Sequence, residues 1–176
     1  MIEIKNANDD QFSPSDIQQL YDIVIKGYEL TEAEIWGLNY VRIFPEDYDK
    51  LIAEGSVLVA TMKNQVVGGV YFYKIDPNTY GFGLLATDFN FKSKGIGATL
   101  IEAVEMIAKN NGANAVTIEI LRVKGVDVPS KLILAEYYER LGYHYTHSED
   151  CSCKIHSEKY KRLIAPSDFD FYTKKI

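Results

Sequence analysis

The 176-residue chain is 47% hydrophobic and 25% charged, the balance of an ordinary globular protein, and its length over ~150 predicts one domain, residues 1–176. A chain of this size buries roughly two thirds of its unfolded surface, so neither metal nor disulfide is needed for folding; disorder, collagen and coiled coil are excluded. With 19 Lys and Arg against 25 Asp and Glu the net charge is −6, which disfavours nucleic acid as the main partner and suits a cationic small molecule or a basic peptide.

No stretch approaches the ~18 consecutive apolar residues of a membrane span. The start, Met1-Ile2-Glu3-Ile4-Lys5 and then Asp9-Asp10, lacks the basic and apolar run of a secretory signal. Cys151 and Cys153 are too few and too close for a disulfide framework. A cytoplasmic protein without a membrane partner is expected.

Ile2 to Lys5 reads as a short opening strand. Ser13-Pro14-Ser15-Asp16 then combines a capping hydroxyl, proline at the first helical position and an acid in the first turn. Ile17, Leu20, Val24 and Tyr28 follow at helical spacing, with Gly27 near the expected stop. Residues 29 to 54 are irregular, acidic and aromatic, and predict one or two short helices, the last from about Pro45 to Glu54. Three β-rich runs follow, Ser56 to Met62, Val66 to Ile75 and Tyr80 to Phe89, separated by the turn residues Lys63-Asn64-Gln65 and Asp76-Pro77-Asn78. Short connections predict an antiparallel meander.

After Phe89 the period changes. Ile96, Leu100, Ile101, Val104, Ile107 and Ala108 share one helical face, and Asn111-Gly112 is a good stop. Ala115 to Leu121 alternates as a strand, so strand, helix and strand predict a crossover and a parallel pair. A helix from about Ser130 to Leu141 ends at Gly142, and β-prone segments near Tyr143 to His147 and Phe169 to Lys174 close the chain. The fold class is therefore α/β with a mixed sheet, an antiparallel meander followed by a parallel βαβ unit.

The segment Phe91-Lys92-Ser93-Lys94-Gly95-Ile96-Gly97-Ala98-Thr99 lies between the end of a strand and the start of a helix. Unpaired N–H groups and the helix dipole there favour an anion, glycine lets a phosphate approach the backbone, and Lys92 and Lys94 add positive charge. A glycine-rich turn needed only for packing explains the spacing equally well. The loop lacks the P-loop pattern. Leu100 occupies the position of the third small residue of a dinucleotide fingerprint.

Lys92-Ser93-Lys94-Gly95-Ile96-Gly97 resembles the Gln/Arg-x-x-Gly-x-Gly/Ala signature of the GNAT superfamily of acyl-CoA N-acyltransferases, with lysine for the leading residue. Ala135-Glu136-Tyr137-Tyr138-Glu139-Arg140-Leu141-Gly142-Tyr143 is similar to a second signature of that family, and the element order also resembles the family's over nearly the whole chain. An asparagine usual three residues before the alanine is replaced by Leu132, and the usual strand glutamate by Gly81.

The resemblance implies a GNAT-like fold and transfer of an acetyl group from acetyl-CoA to a primary amine of a small molecule or peptide, directly within a ternary complex. It implies that the backbone of Ala86 and Thr87 runs beside the pantetheine arm, where an N–H polarises the thioester carbonyl, and that the amides of Lys92, Ser93, Lys94, Gly95, Ile96, Gly97, Ala98 and Thr99 hold the pyrophosphate. Tyr138 takes the family's position for the acid that protonates the leaving thiolate; a core tyrosine packed on Leu134 and Leu141 is the bland alternative. Glu119, on the adjacent strand, is the substitute base acting through water, or else a salt-bridged surface carboxylate. The stretch Tyr28 to Trp36 covers the acceptor region in this family, and its carboxylates beside aromatics suit an ammonium as well as they suit a solvated helix face. A homodimer is compatible with the family.

His144, His147, Cys151, Cys153 and His156 are zinc-capable side chains without finger spacing, and no metal is expected. A non-catalytic acyl-CoA-binding regulatory module with the same fold is the alternative function.

Overall fold

The computed structural model of the chain describes residues 1–154 and 161–176. Its elements are β1 (Ile2–Asn6), α1 (Pro14–Trp36), α2 (Pro45–Ala53), β2 (Val57–Met62), β3 (Gln65–Asp76), β4 (Thr79–Thr87), α3 (Ile96–Asn110), β5 (Ala115–Val123), α4 (Pro129–Arg140), β6 (His144–Asp150) and β7 (Ser167–Lys175). The seven strands form one sheet in the order β1-β2-β3-β4-β5-β7-β6. Only β4 and β5 run parallel; the other pairs are antiparallel. The expected meander is β2-β3-β4, and the parallel unit is β4-α3-β5.

The sequence of β2 explains the two layers. Val57-Leu58-Val59-Ala60 is continuously apolar and wholly buried, as a strand covered on both faces must be. Leu58 and Ala60 join a core with Leu100, Ile101, Val104 and Ala108 of α3. Val57 and Val59 point the other way, into a core with Leu20 and Val24 of α1 and Tyr48 and Ile52 of α2. Residues alternate in side because successive strand side chains point to opposite faces.

The first helix is longer than its sequence suggests. Ser13 and Asp16 form a reciprocal capping box, but the helix runs straight through Gly27 and stops at Gly37, whose φ of 81° needs glycine. Gly27 serves packing: a Cβ there would stand 3.4 Å from the Ala86 Cβ of β4, so the helix lies close against the strand. The remaining helices and strands fall within a few residues of expectation.

The feature that positions the site is a failure of pairing. β5 and β7 register along their whole length, Ala115 on Lys175 through Val123 on Ser167. β4 and β5 register only at Thr79–Ala115, Tyr80–Val116 and Gly81–Thr117. Beyond Gly81 the two strands part, and the second half of each faces an opening in the sheet.

Candidate active site: a cleft between parted strands

The opening is a cleft of about 1060 Å³. Gly83 to Thr87 of β4 form one wall and Ile118 to Leu121 of β5 the other, with residues of α1, α4 and the 40–44 segment closing the far end. Phe89 and Lys92 also line it, so the cleft is continuous with the glycine-rich loop.

That loop is open. Lys92, Ser93, Lys94 and Gly95 are exposed, and Ser93 and Gly95 have φ of 61° and 78°. Gly95 precedes α3 without any side-chain cap, so the amides of Ile96, Gly97 and Ala98 lie ahead of the first intrahelical acceptor and face outward from the helix end. Thr99 differs: its amide and hydroxyl both donate to the Gly95 carbonyl, at 3.0 and 3.1 Å. Gly97 is crowded from α4, since a Cβ there would stand 3.0 Å from the Tyr137 hydroxyl. Lys92 rests its ammonium 4.6 Å from the centroid of the Phe89 ring. Outward-facing amides beside two exposed lysines have the chemistry to hold a diphosphate.

Along β4 the backbone also turns toward the cleft. Gly69 pairs with Ala86 but Tyr71 pairs with Gly83, so β4 carries one extra residue, a bulge at Leu84–Leu85, where Leu84 has φ of 49°. The bulge was not legible in the sequence, where Ala86 and Thr87 were the expected carriers of a free amide. Asp88 donates to the Val67 carbonyl at 2.9 Å, so by antiparallel alternation the Thr87 N–H points away from β3. The amides of Leu84 and Leu85 meet the hydroxyl of Tyr28. Burial pushes that phenol up to about 12, with Arg42 and the two amides opposing the rise. In the sequence Tyr28 stands out only as a helix-periodic residue that opens an acidic and aromatic stretch.

Tyr138 lies on α4 at 3% exposure, its ring tilted against Phe82 at 5.9 Å and edge-on to Tyr143 at 5.9 Å. It belongs to the core and also lines the cleft. Its hydroxyl has no hydrogen-bond partner among the described residues. Burial pushes its phenol well above the ordinary value, and Tyr28 and Tyr137 push the same way, so the group stays protonated.

Glu119 lines the cleft from β5 and forms an ion pair with Lys154 at 2.5 Å; the lysine also lies over the Phe171 ring. Gly81, where a glutamate is usual in the resembling family, is closed off: a Cβ there would stand 2.6 Å from the ring of Tyr73, its partner across the ladder. Burial and the neighbouring Glu119 push the Tyr73 phenol up to about 12.

The far end is built from distant positions. Glu32 on α1 and Lys131 on α4, 7% and 5% exposed, form an ion pair at 3.0 Å. The Trp36 indole donates to the other Glu32 oxygen at 3.1 Å, and Trp36 stacks on Tyr40 with centroids 4.5 Å apart. Arg42 lies 3.9 Å from Glu32 and 5.2 Å over the Tyr28 ring. Glu29 and Glu34 are exposed. Of the acids in the stretch, the one facing the cleft is therefore already paired.

The histidines and cysteines do not converge: among the described residues no group of three or more metal-ligating side chains gathers. His147 stacks on Phe171 and contacts Glu149, Cys151 is buried and Cys153 exposed. His156 lies outside the described residues. No helix is long and apolar enough to cross a membrane among them.

Comparison with known proteins agrees with this geometry. Over its full length the chain is similar in fold to a GNAT family acetyltransferase from Elizabethkingia anophelis with acetyl-CoA bound, at 18% identity and TM-score 0.62, covering 99% of this chain and 98% of that one. The polyamine N-acetyltransferase of Drosophila melanogaster is similar at 13% identity and TM-score 0.68, with both chains covered to 100%. A ribosomal-protein-alanine N-acetyltransferase from Brucella melitensis is similar at 17% identity and TM-score 0.66, with 99% of each chain covered. No curated protein matches the sequence. Residues 17–143 match the acetyltransferase (GNAT) family, and the chain belongs to that family.

Proposed function

We propose that the protein, as a single domain, is an N-acetyltransferase that moves an acetyl group from acetyl-CoA to a primary amine of a small molecule or peptide, by direct transfer with both bound. One observation carries this reading: the exposed loop 92–95 and the uncapped start of α3 adjoin, through Lys92, the cleft where β4 and β5 part, and the hydroxyl of Tyr138, without a hydrogen bond among the described residues, lies on a residue lining that same cleft. The neighbours from Drosophila and Brucella are N-acetyltransferases by name, and another carries acetyl-CoA, which supports both the nitrogen acceptor and the acyl donor.

Acetyl-CoA, when bound, supplies an activated thioester. The amides from Lys92 to Ala98 hold its pyrophosphate, assisted by the ammonium groups of Lys92 and Lys94. The extended backbone of Ala86 and Thr87 runs beside the pantetheine arm. The N–H groups at the Leu84–Leu85 bulge are placed to donate to the thioester carbonyl oxygen and to the charge that develops on it, once the Tyr28 hydroxyl that now meets them turns aside. Tyr138 holds its proton at neutral pH and donates it to the departing thiolate. Glu119, paired with Lys154, takes a proton from the incoming ammonium through water. Neither cysteine lines the cleft, and burial pushes the Cys151 thiol up to about 12, so direct transfer is favoured over an acyl-cysteine route.

Closure of Gly81 by Tyr73 favours one rival, a non-catalytic acyl-CoA-binding module that has lost its base. Isothermal titration with acetyl-CoA together with thiol release over a panel of amines separates the two. Binding with thiol release is the expected result; binding without release on any amine leaves the rival, and no binding removes both.

A further inference from the structure

Resting on the acetyl-transfer reading, we infer that the acceptor is a small amino-carboxylate, whose carboxylate is received by Arg42 while its amine faces the Leu84–Leu85 bulge. The juxtaposition is direct: the Arg42 guanidinium lies over the ring of Tyr28, and the hydroxyl of that same ring meets the bulge amides. A charge receptor thus stands one tyrosine ring away from the reaction centre.

The local charge count is unbalanced in the direction this requires. Glu32 and Lys131 satisfy each other at 3.0 Å, and the Trp36 indole occupies the second carboxylate oxygen. Arg42, at 3.9 Å, is the second cation on an anion already matched. Its buried Nε, which has no hydrogen bond, is the atom turned toward Glu32, so the outer nitrogens of the fork, on a side chain 30% exposed, are the ones left for a ligand. Glu119 is matched by Lys154 and Asp47 by Lys50, and Arg162, which lines the cleft, has no carboxylate partner among the described residues. Two cations are therefore surplus around this end of the cleft, in a chain whose net charge is −6.

Glu32 and the phenols of Tyr28 and Tyr40 hold the guanidinium charged and fixed in the cleft wall. Its planar fork suits a carboxylate in particular. Val41, Ile43, Phe44 and Leu51 supply apolar wall beside it, so the acceptor's body is apolar. This narrows the sequence-based expectation of an amine-bearing small molecule or peptide: among the carboxylates beside aromatics, the one facing the cleft, Glu32, is already paired with Lys131.

The test compares amines that differ only by a carboxylate, phenylalanine against phenethylamine and leucine against 3-methylbutylamine, by kcat/KM for thiol release. The wild-type protein is expected to favour the carboxylate member by at least about tenfold. Arg42→Gln is expected to bring that ratio close to one, chiefly through KM, while calorimetry still detects acetyl-CoA binding; Arg42→Lys keeps part of the preference. A wild-type preference for the amines without a carboxylate overturns the inference and leaves the acetyl-transfer reading standing, as does an Arg42→Gln variant that weakens both members of each pair equally. Thiol release from no amine of either kind removes both.

Discussion

The two ends of the cleft are made of different material. At the loop end the chain offers main-chain amides: Ile96, Gly97 and Ala98 at an uncapped helix start, and exposed positions from Lys92 to Gly95 before them. At the far end it offers side chains, Glu32, Arg42, Trp36, Tyr40 and Lys131, drawn from α1, α4 and the segment between α1 and α2. A site of amides tolerates exchange of the side chains around it, so lysine at 92 can stand where glutamine or arginine is usual. A site of paired side chains fixes one chemistry and carries stability as well as selectivity.

The sharpest way to break this comparison is to remove one charge from each end. Lys131→Met leaves the buried Glu32 with the Trp36 indole and the more distant Arg42 as its remaining cation, and is expected to cost about 3 kcal/mol of stability. Lys94→Met, at an exposed position, is expected to change stability by less than about 0.5 kcal/mol. Denaturant unfolding of the two variants measures the difference. The double change Glu32→Gln with Lys131→Met should recover most of the loss, because it is the unmatched charge that costs and not the absent pair. Equal, small effects from both single changes would mean that the far end is solvated and does not form a buried ion cluster.

Tyr138 belongs to neither end and tests the chemistry between them. Tyr138→Phe keeps the ring that packs on Phe82 and Tyr143, so the melting temperature and the acetyl-CoA affinity should hold. Turnover should fall by about 100-fold, the usual worth of a positioned acid. Burial raises the folded phenol well above its ordinary 10.0. The acid form, present below that raised value, is lost only as pH rises through it, so the alkaline limb governed by this group lies above pH 10.0. Full turnover by Tyr138→Phe at saturating substrates would leave Tyr138 as a core residue and nothing more.

How much of this was legible in the sequence follows the same division. The loop and α3 are contiguous, with one apolar period and one glycine pattern, and local pattern is what a sequence displays; the loop, the helix and the meander all lie close to where they are expected. Arg42 sits in an irregular stretch with no period, and its neighbours Glu32 and Lys131 are 99 residues apart, so nothing local announces their meeting. Glu32 could be read only as one acid among several beside aromatics. The bulge escaped for another reason: Gly83-Leu84-Leu85-Ala86 keeps strand-like residues throughout, and the extra residue becomes visible only against the register of β3.

A smaller effect sharpens the loop end. Gly97→Val places a branched side chain beside the Tyr137 hydroxyl, which a Cβ already approaches to 3.0 Å, and over the amides proposed to hold the diphosphate. Acetyl-CoA affinity should fall by roughly tenfold, or about 1.4 kcal/mol, by calorimetry, with the relative preference among amines unchanged. An altered amine preference at unchanged cofactor affinity would assign the loop to the acceptor and reverse the two ends.

The smallest effect concerns the helix that joins the ends, and it turns on two glycines that look alike in the sequence. Gly27 lies inside α1 with ordinary helical backbone, and a Cβ there meets Ala86 at 3.4 Å, ordinary contact at its near limit. Gly37 ends the helix with φ of 81°, where a Cβ is strained whatever the space. Gly37→Ala should therefore destabilise by about 1 kcal/mol, whereas Gly27→Ala should gain about 0.5 kcal/mol from helix propensity. Opposite signs in denaturant unfolding would establish that Gly37, and not Gly27, is where the chain leaves the helix. A loss of stability in both would mean that α1 needs its closer approach to β4 more than it gains from propensity, and the wall of the cleft between the two ends would then be set by the missing Cβ at 27.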